Sequence, residues 1–207
     1  ALDKDGDLID PLGGEADLEA RRIRATSDHV FRDDPVRLLR AARFEAELGF
    51  AIEPRTEAWL RRDAPLLAQP AVERLRDEFV QGLAVPGAAD FVRRLDNLGL
   101  LAHLLPDLLA LKGVSQSQPH RFDVWQHTLN VVETLEGALA ALDGSTLPGG
   151  SEAVMALPTS AWGDLMRHVG QFAAPIRDHL AVRVCDARDR MLLLKLAALL
   201  YEIGKPE

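Results

Sequence analysis

The chain has 207 residues, a formal net charge of −8, 47% hydrophobic residues and 27% charged residues. These values fit one or two globular domains with a sizeable core, and they exclude a bulk nucleic-acid sponge, which would be strongly basic. The single cysteine, Cys185, excludes an internal disulfide and a zinc–thiolate cluster, and no apolar run reaches the roughly 18 residues of a membrane span.

Leucine and alanine dominate while aromatics make up only 5%, which predicts a mainly α fold. The cations are 20 Arg and 4 Lys. A GC-rich genome explains that bias blandly, and arginine also suits bidentate recognition of bases and phosphates. The default compartment is cytoplasmic. The chain starts at Ala1 without methionine and ends inside a motif at Glu207, as a fragment or trimmed chain would.

Residues 1–26 begin with turns: Asp5-Gly6, then a short strand at Leu8-Ile9, then the tight loop Asp10-Pro11-Leu12-Gly13-Gly14. "EADLEARRIR" follows as a helical turn or two. Residues 33–49 predict a helix, with Asp33 or Asp34 as N-cap, Pro35 in the first turn and Gly49 as the stop. "PRTEAWLRRDAPLLA" and "PAVERLRDEFVQGLA" predict the next two helices. "GAADFVRRLDNLGLLAHLLPDLLALKG" reads as two short helices split near Gly99 and Pro106. A long helix begins near Asp123, residues 143–160 form a loop, and "AWGDLMRHVGQFAAPIRDHLAV" and "RDRMLLLKLAALLYEIG" are further helices. The apolar run 191–200 is expected as plain core packing.

The segment "RDDPVRLLRAARFEAELGF" carries the strongest chemical pattern. On a helical wheel Leu38, Leu39, Ala42 and Ala46 share one arc, and Arg37, Arg40 and Arg43 step along another, roughly 60° apart, towards Asp34. Two readings stand side by side. One is a solvated face with local ion pairs, each contributing a few tenths of a kcal/mol. The other treats Asp34 with Arg37 as an edge-reading unit. A carboxylate accepts from an exocyclic amino group, and a guanidinium donates to a ring nitrogen. Cytosine and adenine offer that pair of groups, whereas guanine and uracil reverse both. Unpaired polar groups make the rejection strong. Arg40 and Arg43 would then meet triphosphate or ribose.

With these residues in view, the chain resembles the bacterial tRNA nucleotidyltransferase/poly(A) polymerase family, the CCA-adding type. "LIDPLGG" followed by "DL" resembles the family's Asp-Pro-Phe-Gly-Gly loop, with Leu12 for the usual Phe. "DDPVRLLRAARFEAELGFAIEPRT" is similar to its Glu-Asp-x-x-Arg segment, with Asp33 for the usual Glu and with Asp34 and Arg37 matching. "ERLRDEF" matches a Glu-Arg-x-x-x-Glu segment through Glu73, Arg74 and Glu78. "LLPDLLALKGVSQSQPHRFDVWQHTL" and "LKLAALLYEIGKP" look like the HD-type region appended in many members.

The resemblance implies helical neck and body domains behind a short remnant of an α/β nucleotidyltransferase palm: residues 1–26 the end of the palm, 27–85 the neck, and 86–207 the body with a degenerate HD-like region. It implies that Asp34, Arg37, Arg40 and Arg43, with Asp33 a departing member, bind incoming CTP or ATP. Glu73, Arg74 and Glu78 are expected to brace that helix. The expected activity of the parent is template-independent addition of C and/or A to tRNA 3′ ends, using Mg²⁺ held by carboxylates that precede Ala1. No catalytic residue is therefore expected in this chain. Asp3, Asp5 and Asp7 alternate in a Gly-containing turn and are expected to be solvated rather than metal ligands. In the HD-like region His127 takes the first ligand position, but Tyr201-Glu202 replaces the His-Asp pair, so no intact metal centre is expected, and His120 and His127 are ordinary helix histidines. An HD-type phosphohydrolase and a catalytically silent RNA-binding domain are the alternatives. Arg61-Arg62 and Arg93-Arg94 are candidate RNA contacts beside the blander reading of solvated helix faces.

Overall fold

Helical periodicity and glycine or proline punctuation carry over into the structure, a computed structural model. It describes residues 9–116, 122–145, 159–185 and 188–205, by backbone alone at 159–162 and 165–166. The architecture is mainly α. It divides into two compact units, Ala1–Gly82 with Arg94–Leu104, and Leu83–Arg93 with Leu105–Glu207.

In the first unit the Asp10 carboxylate accepts the backbone N–H groups of Gly14 and Glu15 at 2.8 and 2.9 Å and starts helix α1 (Gly14–Glu19). The helix expected through Arg24 ends five residues earlier. Arg21 turns to φ 48°, and Arg22–Ile23 becomes strand β1, parallel to β2 (Ala51–Ile52) with Arg22 opposite Ala51. The strand expected at Leu8-Ile9 is not seen: Leu8 lies outside the described residues, and Ile9 is irregular.

The helix expected over 33–49 is broken. Val30–Asp33 forms α2, Val36–Leu48 forms α3, and Asp34 lies between them with extended backbone (φ −151°, ψ 96°). Pro35 explains the break, because its ring disfavours the helical region for the preceding residue. Asp34 is therefore not the N-cap of α3. Pro35 holds that position, and Asp34 Oδ1 accepts only a long 3.4 Å bond from the Val36 N–H. Gly49 stops α3 as expected, at φ 63°, donating to the Glu45 carbonyl. One face of α3, through Val36, Leu38, Leu39, Ala41 and Ala42, is buried.

Helix α4 (Pro54–Asp63) runs into a 3₁₀ turn (Ala64–Ala68), followed by α5 (Val72–Ala84) and α6 (Ala88–Asn97). The segment after Gly99 holds two short helices, α7 (Leu101–Leu104) and α8 (Pro106–Leu109), split at Pro106. Leu38, Leu39, Leu60, Leu67, Leu98, Leu100 and Leu101 are fully buried in the first unit.

In the second unit Asp123 caps the long helix α9 (Val124–Leu142), accepting the Gln126 N–H at 2.8 Å. Helices α10 (Thr159–Gly170) and α11 (Ala173–Leu180) precede an antiparallel pair that the sequence did not announce, β3 (Arg183–Cys185) with β4 (Arg188–Asp189). Of the loop expected over 143–160, residues 146–158 lie outside the described residues, and 159–160 already belong to α10. Helix α12 (Arg190–Leu200) is capped by Asp189 and packs on α9. Its apolar run is not plain core. Only Leu192, Lys195 and Leu199 are buried, one stripe of a 3.6-residue period, while Leu193 and Leu194 are 43% and 37% exposed.

Lys195 is the exception on that stripe. Its Nζ lies 2.7 Å from Glu136 Oε1 and donates to the carbonyls of Leu83 (3.1 Å) and Val85 (3.2 Å). Glu136 in turn accepts the N–H groups of Gly87 and Ala88 at 3.0–3.2 Å. A lysine thus satisfies carbonyls at the end of α5, and a glutamate satisfies amides at the start of α6. Both side chains are buried, at 6% and 4% exposure.

Candidate functional site

Helix α3 positions the acid–arginine series. Asp34 Oδ2 lies 3.9 Å from Arg37 Nε and accepts a 2.9 Å bond from Arg74 Nη2 of α5. The Arg74 hydrogen bond, with the positive charges of Arg74 and Arg37, holds the Asp34 carboxyl below its ordinary range. At any pH above that range Asp34 is a carboxylate and accepts only. The stability this pairing contributes is present above the unfolded-state value near 3.9 and is lost as pH falls through the lowered folded-state one.

The series separates into two kinds of residue. Arg37 remains 43% exposed, its guanidinium making a long 3.4 Å bond to the Val30 carbonyl. Arg40 and Arg43 converge on Glu78 of α5: Arg40 Nε donates to Oε1 and Arg43 Nε to Oε2, each at 2.8 Å. Glu78 is 7% exposed at its side chain, and Arg43 is 12% exposed, with Glu47 and the Phe44 ring as further partners. The uniform solvated ramp suggested by the wheel therefore sinks into the protein as it leaves Asp34. Asp33 faces His29, with its carboxylate 3.7 Å from Nε2 on the exposed side of α2. Glu73 is exposed, whereas Arg74 touches Asp34 itself.

Glu45 and Glu57, which the sequence reading did not single out, tie this helix to its neighbours through Arg94. Arg94 of α6 donates to both Glu45 oxygens (2.6 and 3.1 Å) and to Glu57 of α4 (2.5 Å). Its hydrogen bond is the largest cause lowering the Glu57 carboxyl. Arg62 grips buried Asp63 bidentately at 2.6 and 2.9 Å, and Arg32 of α2 approaches the same carboxylate at 3.6 Å. Arg61 bonds Glu57 and the Asn97 carbonyl, and in the second unit Arg93 pairs with Asp90 and Glu133. The four arginines considered as RNA contacts are thus each ion-paired within the protein, with Arg61 the most exposed at 50%. Arg61 and Arg62 pair within α4, whereas Arg94 and Arg93 reach carboxylates on other helices.

Replacing Glu78 by alanine would leave the two guanidinium groups of Arg40 and Arg43 without their shared acceptor. Since Arg40 is half-exposed and Arg43 keeps Glu47, the expected loss is about 2 kcal/mol, measured by urea unfolding. Glu78→Gln, which keeps one acceptor oxygen, should lose about half as much.

In the second unit His127 and Tyr201 meet edge to face, with ring centroids 6.3 Å apart, and Glu202 is buried beside Lys205 at 2.7 Å. Burial, the Glu202 charge and a hydrogen bond to Glu202 push the Tyr201 phenol up to about 12. A neutral phenol is a poor metal donor. Among the described residues no group of three His, Cys, Asp or Glu could hold a metal ion. His120 and the alternating Asp3, Asp5 and Asp7 lie outside the described residues. Tyr201 is the only tyrosine of this chain, so its phenolate absorbance reports directly. It should emerge near pH 12, and Glu202→Gln should bring it towards the ordinary value of about 10. Because the folded value is raised, the associated stability is present below about pH 10 and is lost as pH climbs through the folded value.

Comparison with known proteins adds likenesses to this geometry. Residues 49–111 match the family model described as "Probable RNA and SrmB- binding site of polymerase A". The chain is 41% identical over 133 residues to the A-adding tRNA nucleotidyltransferase of Deinococcus radiodurans, covering 62% of this chain and 31% of that protein. It is 48% identical over 94 residues to the CC-adding tRNA nucleotidyltransferase of Geobacter sulfurreducens, covering 45% and 22%. The chain therefore spans about a third or less of the length of these relatives. Its fold resembles the Thermotoga maritima CCA-adding enzyme complexed with tRNA_CCA, with a TM-score of 0.51 and 21% identity over 93% of this chain and 50% of that one. No helix of the described residues is long and apolar enough to cross a membrane.

Proposed function

We propose that this homologue of the tRNA nucleotidyltransferases supplies the nucleobase-selecting part of an enzyme that adds C and/or A to tRNA 3′ ends without a nucleic-acid template. The observation that carries the reading is Asp34, held as a carboxylate by Arg74 and set 3.9 Å from the exposed Arg37 on a clamped helix. An ionised carboxylate accepts and cannot donate, so it calls for an amino group. The guanidinium donates and cannot accept, so it calls for a bare ring nitrogen. Cytosine and adenine satisfy both. Uracil and guanine would face a carbonyl against the carboxylate and an N–H against the guanidinium.

Arg40, half-exposed next along α3, is the residue positioned to meet ribose or phosphate. Arg43, Glu78 and Arg94 hold the helix in register, so that little ordering remains when the nucleotide arrives. Residues 27–85 act as the neck and 86–207 as the body that carries the RNA. Asp33, exposed beside His29, stands at the edge of the reading site. Nucleotidyl transfer uses a divalent metal, Mg²⁺ in the expected enzyme, to activate the 3′-hydroxyl and to neutralise the triphosphate. The described residues do not fit that ion, and the residues above select and orient the base. A tRNA substrate implies a cytoplasmic protein. The degenerate HD-like region, with Tyr201 against His127, carries packing rather than phosphohydrolase chemistry.

The test is incorporation by the full-length protein into tRNA ending before CCA, with each of the four nucleoside triphosphates alone and with CTP and ATP together. Incorporation of C, A or both, with U and G rejected, is expected. Equal use of all four, or none, would sink the proposal.

A further inference from the structure

A recess of about 300 Å³ lies in the first unit, between the stretch 24–28 and the start of α4. That volume is at the small end of ligand pockets. Trp59 and Arg55 line it, with the Arg55 guanidinium carbon 4.8 Å from the centroid of the Trp59 ring. Ser27, Asp28 and Glu53 line it as well. Arg24 also borders it, but that guanidinium is held by Asp17 (2.7 Å) and the Leu12 carbonyl.

The charge pattern selects among ligands. With Arg24 occupied, two carboxylates outweigh the single stacked guanidinium, so a free phosphate is disfavoured inside. A flat aromatic group stacking on the guanidinium–indole pair is favoured. Carboxylates and a serine hydroxyl beside such a platform accept from sugar hydroxyls. Arg55 and Trp59 both fall in the stretch that matches an RNA-binding family model. Arg55 is exposed and has no carboxylate partner among the described residues, whereas Arg61, Arg62, Arg93 and Arg94 are ion-paired. Asp28 and Asp34 flank the single turn of α2, which puts the recess on the order of 10 Å from the base-reading pair.

We propose that this recess takes one unpaired nucleotide of the RNA 3′ end, its base stacked on Arg55 and Trp59 and its ribose hydroxyls donated to Asp28 and Glu53. This rests on RNA being the partner of the protein, as the proposed function has it. It adds a site for the strand being extended, separate from the residues that read the incoming nucleotide.

The experiment compares the full-length protein binding two stem–loop RNAs at fixed salt, one with a short unpaired 3′ tail and one blunt. The tailed RNA should bind about tenfold more tightly, the scale of one base stacked on a side-chain platform. Arg55→Gln, at an exposed position, and Trp59→Ala should each erase that margin, and Trp59→Phe should keep most of it. Selection of C and A over U and G should be unchanged in all three. The proposal is overturned if the variants keep the margin, if Arg55→Gln weakens both RNAs alike, or if saturating CTP or ATP abolishes the margin by taking the recess. Loss of C/A selectivity in the wild type with the tail margin intact would instead sink the base-reading proposal and leave this one standing.

Discussion

Replacing Glu136 by alanine is expected to cost the protein about 3–5 kcal/mol of stability, the range for breaking a buried ion pair. The carboxylate has three partners, the Lys195 ammonium and the N–H groups of Gly87 and Ala88. Its removal strands a buried cation and reopens the start of α6. Lys195→Met should cost less, because Glu136 keeps both amides at a helix N-terminus, where negative charge is favoured. A paired replacement, Glu136→Leu with Lys195→Met, should cost clearly less than the sum, since no uncompensated charge remains. Urea unfolding of the full-length protein gives the totals. Amide exchange at Gly87 and Ala88 gives the local effect, which should accelerate strongly in Glu136→Ala and modestly in Lys195→Met. If both single variants lost under about 1 kcal/mol, the pair would have to be solvated, and the turn between α5 and α6 would be held some other way.

Lys195 also shows where the sequence was legible and where it was not. Its flanks, "LLLKLAALL", carry a lone charge at the helical position that Leu192 and Leu199 mark as buried. The expectation of plain core packing for this run passes over Lys195; its partner sits 59 residues upstream on α9, and nothing local points to Glu136. The same holds for Arg94 with Glu45 and for Glu78 with Arg40, which join helices far apart in the chain. Signals confined to a few residues carried over well: Gly49 as a stop, Asp123 as the start of the long helix, Pro106 as a break. Pro35 was legible too, and its effect on Asp34 was missed only because the acid was assigned to the helix it precedes. The parallel pairing of β1 with β2, two residues on each strand, has too little pattern to be seen locally.

That extended Asp34 bears on the second large effect. Asp34→Ala in the full-length protein is expected to lower the preference for C and A over U and G by two orders of magnitude or more. A site that pairs a polar group rejects a mismatched analogue by roughly 10⁴–10⁵, and each good bidentate pair accounts for about 1–3 kcal/mol of discrimination. Removing one member leaves the other to read a single group. Arg37→Ala should act similarly, and the two together should add little beyond either, because they form one reading unit. Arg74→Ala is the sharper comparison. It leaves both reading groups in place but removes the 2.9 Å bond that holds Asp34 ionised and oriented. Selectivity should then survive at neutral pH with weaker binding, and should fade at a higher pH than in the wild type on acidification, as the released carboxyl takes up a proton more readily. Discrimination measured as ratios of kcat/KM for CTP and UTP across acidic to neutral pH would report all four variants. An Asp34→Ala protein that still rejected UTP as the wild type does would mean that base choice lies elsewhere, and that Asp34 and Arg74 only tie α3 to α5.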